Sequence, residues 1–446
     1  MKLNLGKTFL LGFGLLGVSA IWAIYNTFVP VFLAEKFRLE PAFIAFFITL
    51  DNTAALLIQP PVGVWSDKLR TPIGRRMPFI LFGAPVAAIA FAFLPLVSVL
   101  PLFVLCTSTL LVCMALWRTP VMALIADVTP SPLRSQASGI VGFMGGVGGI
   151  IAYFGGAALA EKNPAYPFWL GSAMVLIAAF LLFVGVKEPK TYASDEVGIS
   201  DAQPGFLTSL SALFTDKNKS ALFMLLALFF LMVGYTAVEG FFSLYAKYHL
   251  GWNASQSSRL LGQLSLVFVI FAIPAGNLGA RIGRRVTIMS GLVLMATVIF
   301  VIYWLPVPLL KTPLFTLPVL GVVPVVGLLL MSLGIAWALI IIHPLPMLSD
   351  MVDSGRIGTY TGLYYLFTSL AAIIGPNLNG WIVQWRGGNY NTVMLFAPVC
   401  LAIAWFLMWG VREGEGKKSE TANENANETA PPSIDSTKNE GEIAAQ

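Results

Sequence analysis

The sequence predicts an all-α membrane protein, with twelve transmembrane helices in two pseudo-symmetric six-helix bundles. Three observations predict it. The 446-residue chain is 57% hydrophobic and only 11% charged, where a soluble domain carries about 25% charged residues, so too few polar groups exist to cover its surface in water. Apolar runs of the roughly 20 residues needed to cross a bilayer recur about a dozen times. A basic loop, Gly63-Val-Trp-Ser-Asp67-Lys-Leu-Arg70-Thr-Pro-Ile-Gly74-Arg75-Arg76-Met-Pro78, also returns about 210 residues later in distorted form, Gly276-Asn-Leu-Gly-Ala-Arg281-Ile-Gly-Arg284-Arg285.

The first six runs lie at 8–33, 42–66, 78–98, 100–126, 136–160 and 166–187. The stretch from Phe9 to Phe32 is too long for a signal-peptide core and lacks a clear cleavage site, so it reads as the first span. The second six lie at 220–247, 257–280, 286–306, 318–348, 358–384 and 391–411. The chain divides into a first half at 1–187, a polar linker at 188–219, a second half at 220–411 and a tail at 412–446. The tail is rich in Glu, Asn, Thr and Lys, has almost no aromatic residues, and is expected to be disordered.

Twelve spans put both termini on one side. Of the 27 Lys and Arg residues, nineteen fall on that side, seven on the other, and Arg118 lies within a run. Positive charge stays cytoplasmic, so the termini, linker and basic loops are expected in the cytoplasm, with the chain a multi-pass protein of the inner or plasma membrane. The net charge of +5 is spread over short loops and gives no nucleic-acid surface. Cys106, Cys113 and Cys400 lie in apolar runs without metal-ligand spacing and read as small core hydrophobes. No nucleophile–base set, HExxH or phosphate loop is present, so neither enzyme activity, metal nor cofactor is expected. The bilayer is the expected surrounding, and a monomer the expected state.

The duplication extends beyond the basic loop. Asp127-Val-Thr-Pro-Ser-Pro-Leu-Arg134-Ser-Gln-Ala-Ser-Gly139 ends the fourth run and opens the fifth, and Asp350-Met-Val-Asp-Ser-Gly-Arg356-Ile-Gly-Thr-Tyr-Thr-Gly362 does the same for the tenth and eleventh. Parallel repeats of this kind place a binding site near the midplane, between the halves.

At these residues the sequence resembles the major facilitator superfamily, whose signature loop between the second and third helices matches Gly63, Asp67, Gly74, Arg75 and Arg76. Within it the chain looks most similar to the glycoside–pentoside–hexuronide:cation symporters and the sucrose/proton symporters. Arg75-Arg76-Met-Pro78-Phe79, Ala126-Asp127-Val-Thr-Pro130 with Arg134, and Gly362-Leu-Tyr-Tyr-Leu-Phe with Ile374-Gly375-Pro376 carry that likeness. The resemblance implies alternating access driven by a proton or sodium gradient, with a sugar as the usual cargo. Two departures matter. Melibiose-carrier-like members place an acid before the proline of the second helix, where this chain has Gln59, which argues against a sodium site of that type. The second copy of the loop has Ala280 where an Asp would match Asp67, so the halves are not equivalent gates.

An ionisable group in a span is costly and usually functional. Asp51 lies deep in the second run, and burial disfavours a charged carboxylate, so it is a candidate proton site; a structural hydrogen bond is the alternative. Glu239 lies at similar depth in the seventh run, to bind a proton or accept sugar hydroxyls, or else to make a packing contact. Arg118 stays charged and needs an anionic partner. It forms with Asp51 either a switchable pair or a static one, or else it reaches the cytoplasmic interface. His343 can titrate, but a satisfied histidine beside a proline break is the plainer reading.

Aromatic faces match the apolar face of a pyranose. Trp22, Tyr25, Tyr235, Trp337, Tyr364 and Tyr365 are candidates for that platform, with Asn26, Asn52, Gln59, Asn377 and Asn379 as polar contacts; Trp and Tyr also anchor spans at the lipid interface. The loop opened by Gly63 reads as a gate. Asp67 is expected to accept from a helix N-terminus or pair with Arg75, Arg76 or Arg134, holding the outward-facing state together. Asp127 with Arg134, and Asp350 with Arg356, look like matching parts. Gly142-x-x-x-Gly146 and Gly145-x-x-x-Gly149 are expected to let the fifth helix slide against the eighth. The expected function is proton-coupled import of a sucrose- or maltose-like glycoside. The alternatives are sodium-coupled sugar symport and antiport of apolar or cationic compounds.

Overall fold

The computed structural model describes residues 3–130, 133–188, 213, 219–318, 320–352, 356–412 and 414. Most of the linker at 188–219 and of the tail at 412–446 therefore lies outside the described residues. Among the described residues, eleven segments are long and apolar enough to cross a membrane, and the shorter Met77–Phe93 makes a twelfth. The first half contains α1 (Leu5–Glu35), α2 (Pro41–Ile48), α3 (Leu50–Lys68), α4 (Met77–Phe93), α5 (Leu100–Val128), α6 (Arg134–Ala160) and α7 (Tyr166–Gly185). The second half contains α8 (Ser220–Tyr248), α9 (Ala254–Ile282), α10 (Arg284–Trp304), the short α11 (Val307–Leu310), strands β1 (Pro313–Leu317) and β2 (Gly321–Pro324), α12 (Val325–Ile341), α13 (Pro344–Asp350), α14 (Ile357–Trp385) and α15 (Val393–Met408).

Two spans are broken, each for a local reason. The second breaks at Thr49, whose hydroxyl donates back to the Ala45 and Phe46 carbonyls at 3.0 Å, a bond that competes with the helical ladder. The tenth breaks after Ile342, because Pro344 brings no N–H and clashes with the preceding turn. The structure also corrects the start of that span. The apolar run expected as helix from 318 begins as an antiparallel hairpin, β1 on β2, and helix starts only at Val325. Pro318 and Pro324 cannot donate to a helical ladder, and Gly321 takes a positive φ of 69°. Likewise α4 ends at Phe93 instead of continuing to 98, because Pro95 follows.

Packing repeats the duplication in space. In the first half α1 lies on α6 and α7, and α4 on α5; in the second, α8 lies on α14 and α15, and α10 on α12. Equivalent glycines set the closest crossings. A Cβ on Gly148 of α6 would overlap the Leu16 carbonyl of α1, and one on Gly375 of α14 would overlap the Val233 carbonyl of α8. Gly83 against Cys113 and Gly291 against Ala336 form a second such pair. The halves meet through α6 with α9, α2 with α14 and α1 with α8. Below, the terminal face is the one carrying both described chain ends, and the far face is its opposite.

Candidate functional site

A cavity of about 120 Å³ lies between the halves. Asn26 of α1 and Thr49, Asp51 and Asn52 at the α2–α3 break line one wall; Thr236 and Glu239 of α8 line the other. The break positions this wall, because it turns Thr49 and the two residues after Leu50 towards the second half. Asp51 Oδ1 accepts from the Asn52 backbone N–H at 2.6 Å and from Asn52 Nδ2 at 2.8 Å. Glu239 also lines a second cavity, of about 220 Å³, with Tyr153, Tyr235, Ser265, Phe268 and Trp337. Tyr235 and Trp337 stack face to face there, 3.7 Å apart and 4° from parallel.

The structure separates other residues that the sequence grouped with these. Asp51 and Arg118 feel one another's charge but make no ion pair. Asp51 is ten residues from the far-face start of α2 and Arg118 ten from the terminal-face end of α5, which leaves about 10 Å between their depths. Tyr25 is fully buried, edge-on to Trp22 at 5.7 Å, and lines neither cavity. Gln59 lines neither cavity. Tyr364 is buried edge-on to the exposed Tyr365. Asn377 donates to Thr49 Oγ1 and the Ile373 carbonyl, both at 2.8 Å, so its amide joins the halves. Asn379 is fully buried. His343 is buried with its ring over Gly279.

The charged residues of the terminal face form a cluster within the first half. Asp127 accepts from Arg75 Nη2 at 2.6 Å and Arg76 Nε at 2.9 Å. Arg76 also reaches Asp67 and Ser66. Burial works against the charge on Arg76, but Asp127 and then Asp67 outweigh it and hold the guanidinium above its ordinary pKa. The expected pairing of Asp127 with Arg134 is not formed. Arg134 turns back to the carbonyls of Ala126 (3.0 Å) and Thr129 (3.2 Å), leaving Asp127 to the two arginines that the α3–α4 loop brings over it. Asp350 pairs with Arg284 at 2.5 Å, and Arg356 is the N-cap of α14. These contacts tie helices of one half together instead of tying the halves to each other. Gly63 packs loosely against Thr119. The small-residue stripe of α6 has two faces: Gly146 and Gly149 turn to α9, whereas Gly145 and Gly148 turn to α1.

Sequence reading missed Glu188. Its carboxylate accepts from the backbone N–H groups of Arg75 (2.9 Å), Arg76 (3.0 Å) and Met77 (2.7 Å), closing the N-terminus of α4. Gly74, at φ 112°, has no room for a Cβ beside that carboxylate. Charge-assisted bonds contribute about 1.5–3 kcal/mol each when well buried, and Glu188 is only half-buried. Glu188→Ala is therefore expected to cost about 2 kcal/mol in all, read as a lower melting temperature of the purified protein. An unchanged melting temperature would show that solvent already satisfies those N–H groups.

Sequence reading also missed the far-face contacts between the halves. Glu35 pairs with Lys247, Glu40 accepts from Gln384, and Glu161 pairs with Arg259 at 2.5 Å. Ser255 and Ser258 donate to the Ala157 and Tyr153 carbonyls at 2.8 and 2.7 Å. In all three side-chain pairs the first half supplies the carboxylate and the second half the donor. Exposed ion pairs contribute about 0–1 kcal/mol each, weak enough to break and reform. Towards the terminal face, Gly139, Gly142, Gly276 and Gly362 face open space. The halves are thus latched at the far face.

The sequence pattern of the Major Facilitator Superfamily matches residues 11–376. Multidrug resistance protein 1 of Bacillus subtilis (strain 168) is 23% identical over 381 residues, covering 84% of this chain and 90% of that protein. Sucrose transport protein SUC3 of Arabidopsis thaliana is 25% identical over 237 residues, covering 46% of this chain and 40% of that protein. Among solved structures, the nucleoside transporter NupG superposes with a TM-score of 0.70 at 15% identity, covering 91% of this chain and all of that one.

Proposed function

Since this chain belongs to the major facilitator superfamily, we propose that it imports a sucrose- or maltose-like glycoside together with a proton, by alternating access. Family membership makes it a secondary transporter and not an enzyme. One observation carries the finer reading: Asp51 and Glu239, from opposite halves, share a cavity with Asn26, Asn52, Thr49 and Thr236. Amides and hydroxyls in that number suit a hydroxyl-rich solute. Two carboxylates on one cavity repel when both are charged, and a proton on either removes the repulsion. That repulsion acts across the halves, so proton occupancy bears directly on whether they close around the cavity. In this reading Asp51 and Glu239 hold the proton and Arg118 acts on Asp51 through its field alone. The far-face pairs Glu35–Lys247 and Glu161–Arg259 then close as the cavity opens to the terminal face. The Lys/Arg bias puts that face in the cytoplasm.

A second reading has its own support. The cavity beyond Glu239 is walled by Phe268, Met295, Leu330 and Leu333, which suits an apolar or cationic compound exported against protons by the same carboxylates. Proteoliposomes separate the two. Glycoside uptake driven by acid outside, unchanged when choline replaces sodium, is the expected result. Proton-driven movement of a cationic dye, with no glycoside flux, would overturn the sugar reading.

A further inference from the structure

The β1–β2 hairpin joins α10 to α12 at the far face. All five residues of β1 are exposed, Leu314, Phe315 and Leu317 among them; Val322, opposite Thr316, is exposed on the other face, and exposed Trp304 and Leu309 precede the hairpin in the chain. Three other far-face connections carry charge, with Lys36, Arg38 and Glu40 after α1, Glu161 and Lys162 after α6, and Arg386 after α14, whereas in the α10–α12 connection the charge, Lys311, precedes the hairpin and the hairpin itself has none. The α8–α9 connection at 249–253 carries none, and neither does the α4–α5 connection, with exposed Leu96 and Val99, which holds the equivalent place in the first half. Both α4 and α10 pack on helices of their own half, so their connections lie at the outer rim.

We propose that this hairpin is an arm seated in the interfacial layer of the far leaflet. The backbone restricts the alternatives. β1 is an edge, since the sheet has two strands, and an apolar edge strand in water is a template for aggregation. In the hydrocarbon core the unpaired N–H and C=O groups of that edge would go unsatisfied. At the interface the apolar side chains enter the acyl boundary while the backbone edge reaches headgroups and water. Gln263 fixes the arm to α9 by donating to the Leu320 and Val322 carbonyls, both at 3.1 Å. Arg259, one turn earlier on α9, holds Glu161 of the other half. The lipid contact therefore bears on the segment that closes the far face.

The test is depth quenching in phospholipid vesicles, with Cys106, Cys113 and Cys400 changed to Ala. Phe315→Cys, or Leu314→Cys if the first fails to fold, is labelled with an environment-sensitive fluorophore. Phe300→Cys on α10 supplies the lipid reference and Asn163→Cys the water reference. The expected result is blue-shifted emission and loss of fluorescence to a lipid bearing a nitroxide near its headgroup, as at Phe300. Loss of fluorescence to iodide on both sides, as at Asn163, would overturn the proposal. Protection from both quenchers would also overturn it, because a protein would then cover the arm.

Discussion

Asp51→Asn is expected to abolish proton-driven accumulation while sparing glycoside exchange. Asparagine keeps the size and one acceptor oxygen of the side chain that Asn52 now contacts, but it cannot carry a proton. With one proton per solute, a one-unit pH gradient supports about tenfold accumulation, because about 1.4 kcal/mol corresponds to a factor of ten. The variant should bring that ratio to one. Counterflow, in which internal unlabelled glycoside draws in labelled glycoside without a gradient, should continue, since it needs the cavity but not the coupled proton. If accumulation and counterflow fall together, Asp51 is structural. If both persist, the proton resides elsewhere, and Glu239→Gln is the next variant to show the same split.

The second large effect is on the fold. Gly148→Val is expected to destabilise the first half by about 3 kcal/mol or more, because the added carbons meet backbone and not a movable side chain. Gly375→Val should do the same in the second half through Val233. Gly142→Ala, whose Cβ meets open space, should leave stability unchanged or slightly raised, since it restricts the unfolded chain. Melting temperature and a monodisperse size-exclusion profile are the readouts. Equal tolerance of all three substitutions would contradict the close crossings of α1 with α6 and of α8 with α14.

The contrast between those glycines shows what a sequence can carry. Two small-residue stripes were legible in α6, but not that alternate glycines serve different neighbours, because that depends on where α1 and α9 lie. The spans themselves were legible from hydropathy, as were the repeat and the depths of Asp51 and Glu239, from counting residues along a span. Their meeting in one cavity needed the parallel-repeat geometry in addition. The hairpin was hidden because an unbroken apolar run reads the same as helix or buried strand; Pro318, Gly321 and Pro324 were the available signal. Charge partners were the least legible. Asp127 has Arg134 nearby in sequence but meets Arg75 and Arg76, 52 and 51 residues away, because α4 packs on α5. Glu35–Lys247 spans 212 residues and Glu161–Arg259 spans 98, and nothing local in either pair announces the other member. Asn377 read as a cavity amide because its type suits a sugar. It is the Thr49 hydroxyl oxygen, at the break in the second span, that accepts from it.

The most direct measurement is a pH electrode in a lightly buffered suspension of de-energised cells expressing the protein, with sucrose, maltose and other glycosides added in turn. Coupled import predicts that the medium turns alkaline on adding the cognate glycoside, and that Asp51→Asn removes the response. No pH change with any glycoside, together with medium acidified or alkalinised only by a cationic dye, would contradict the account and leave the exporter in its place.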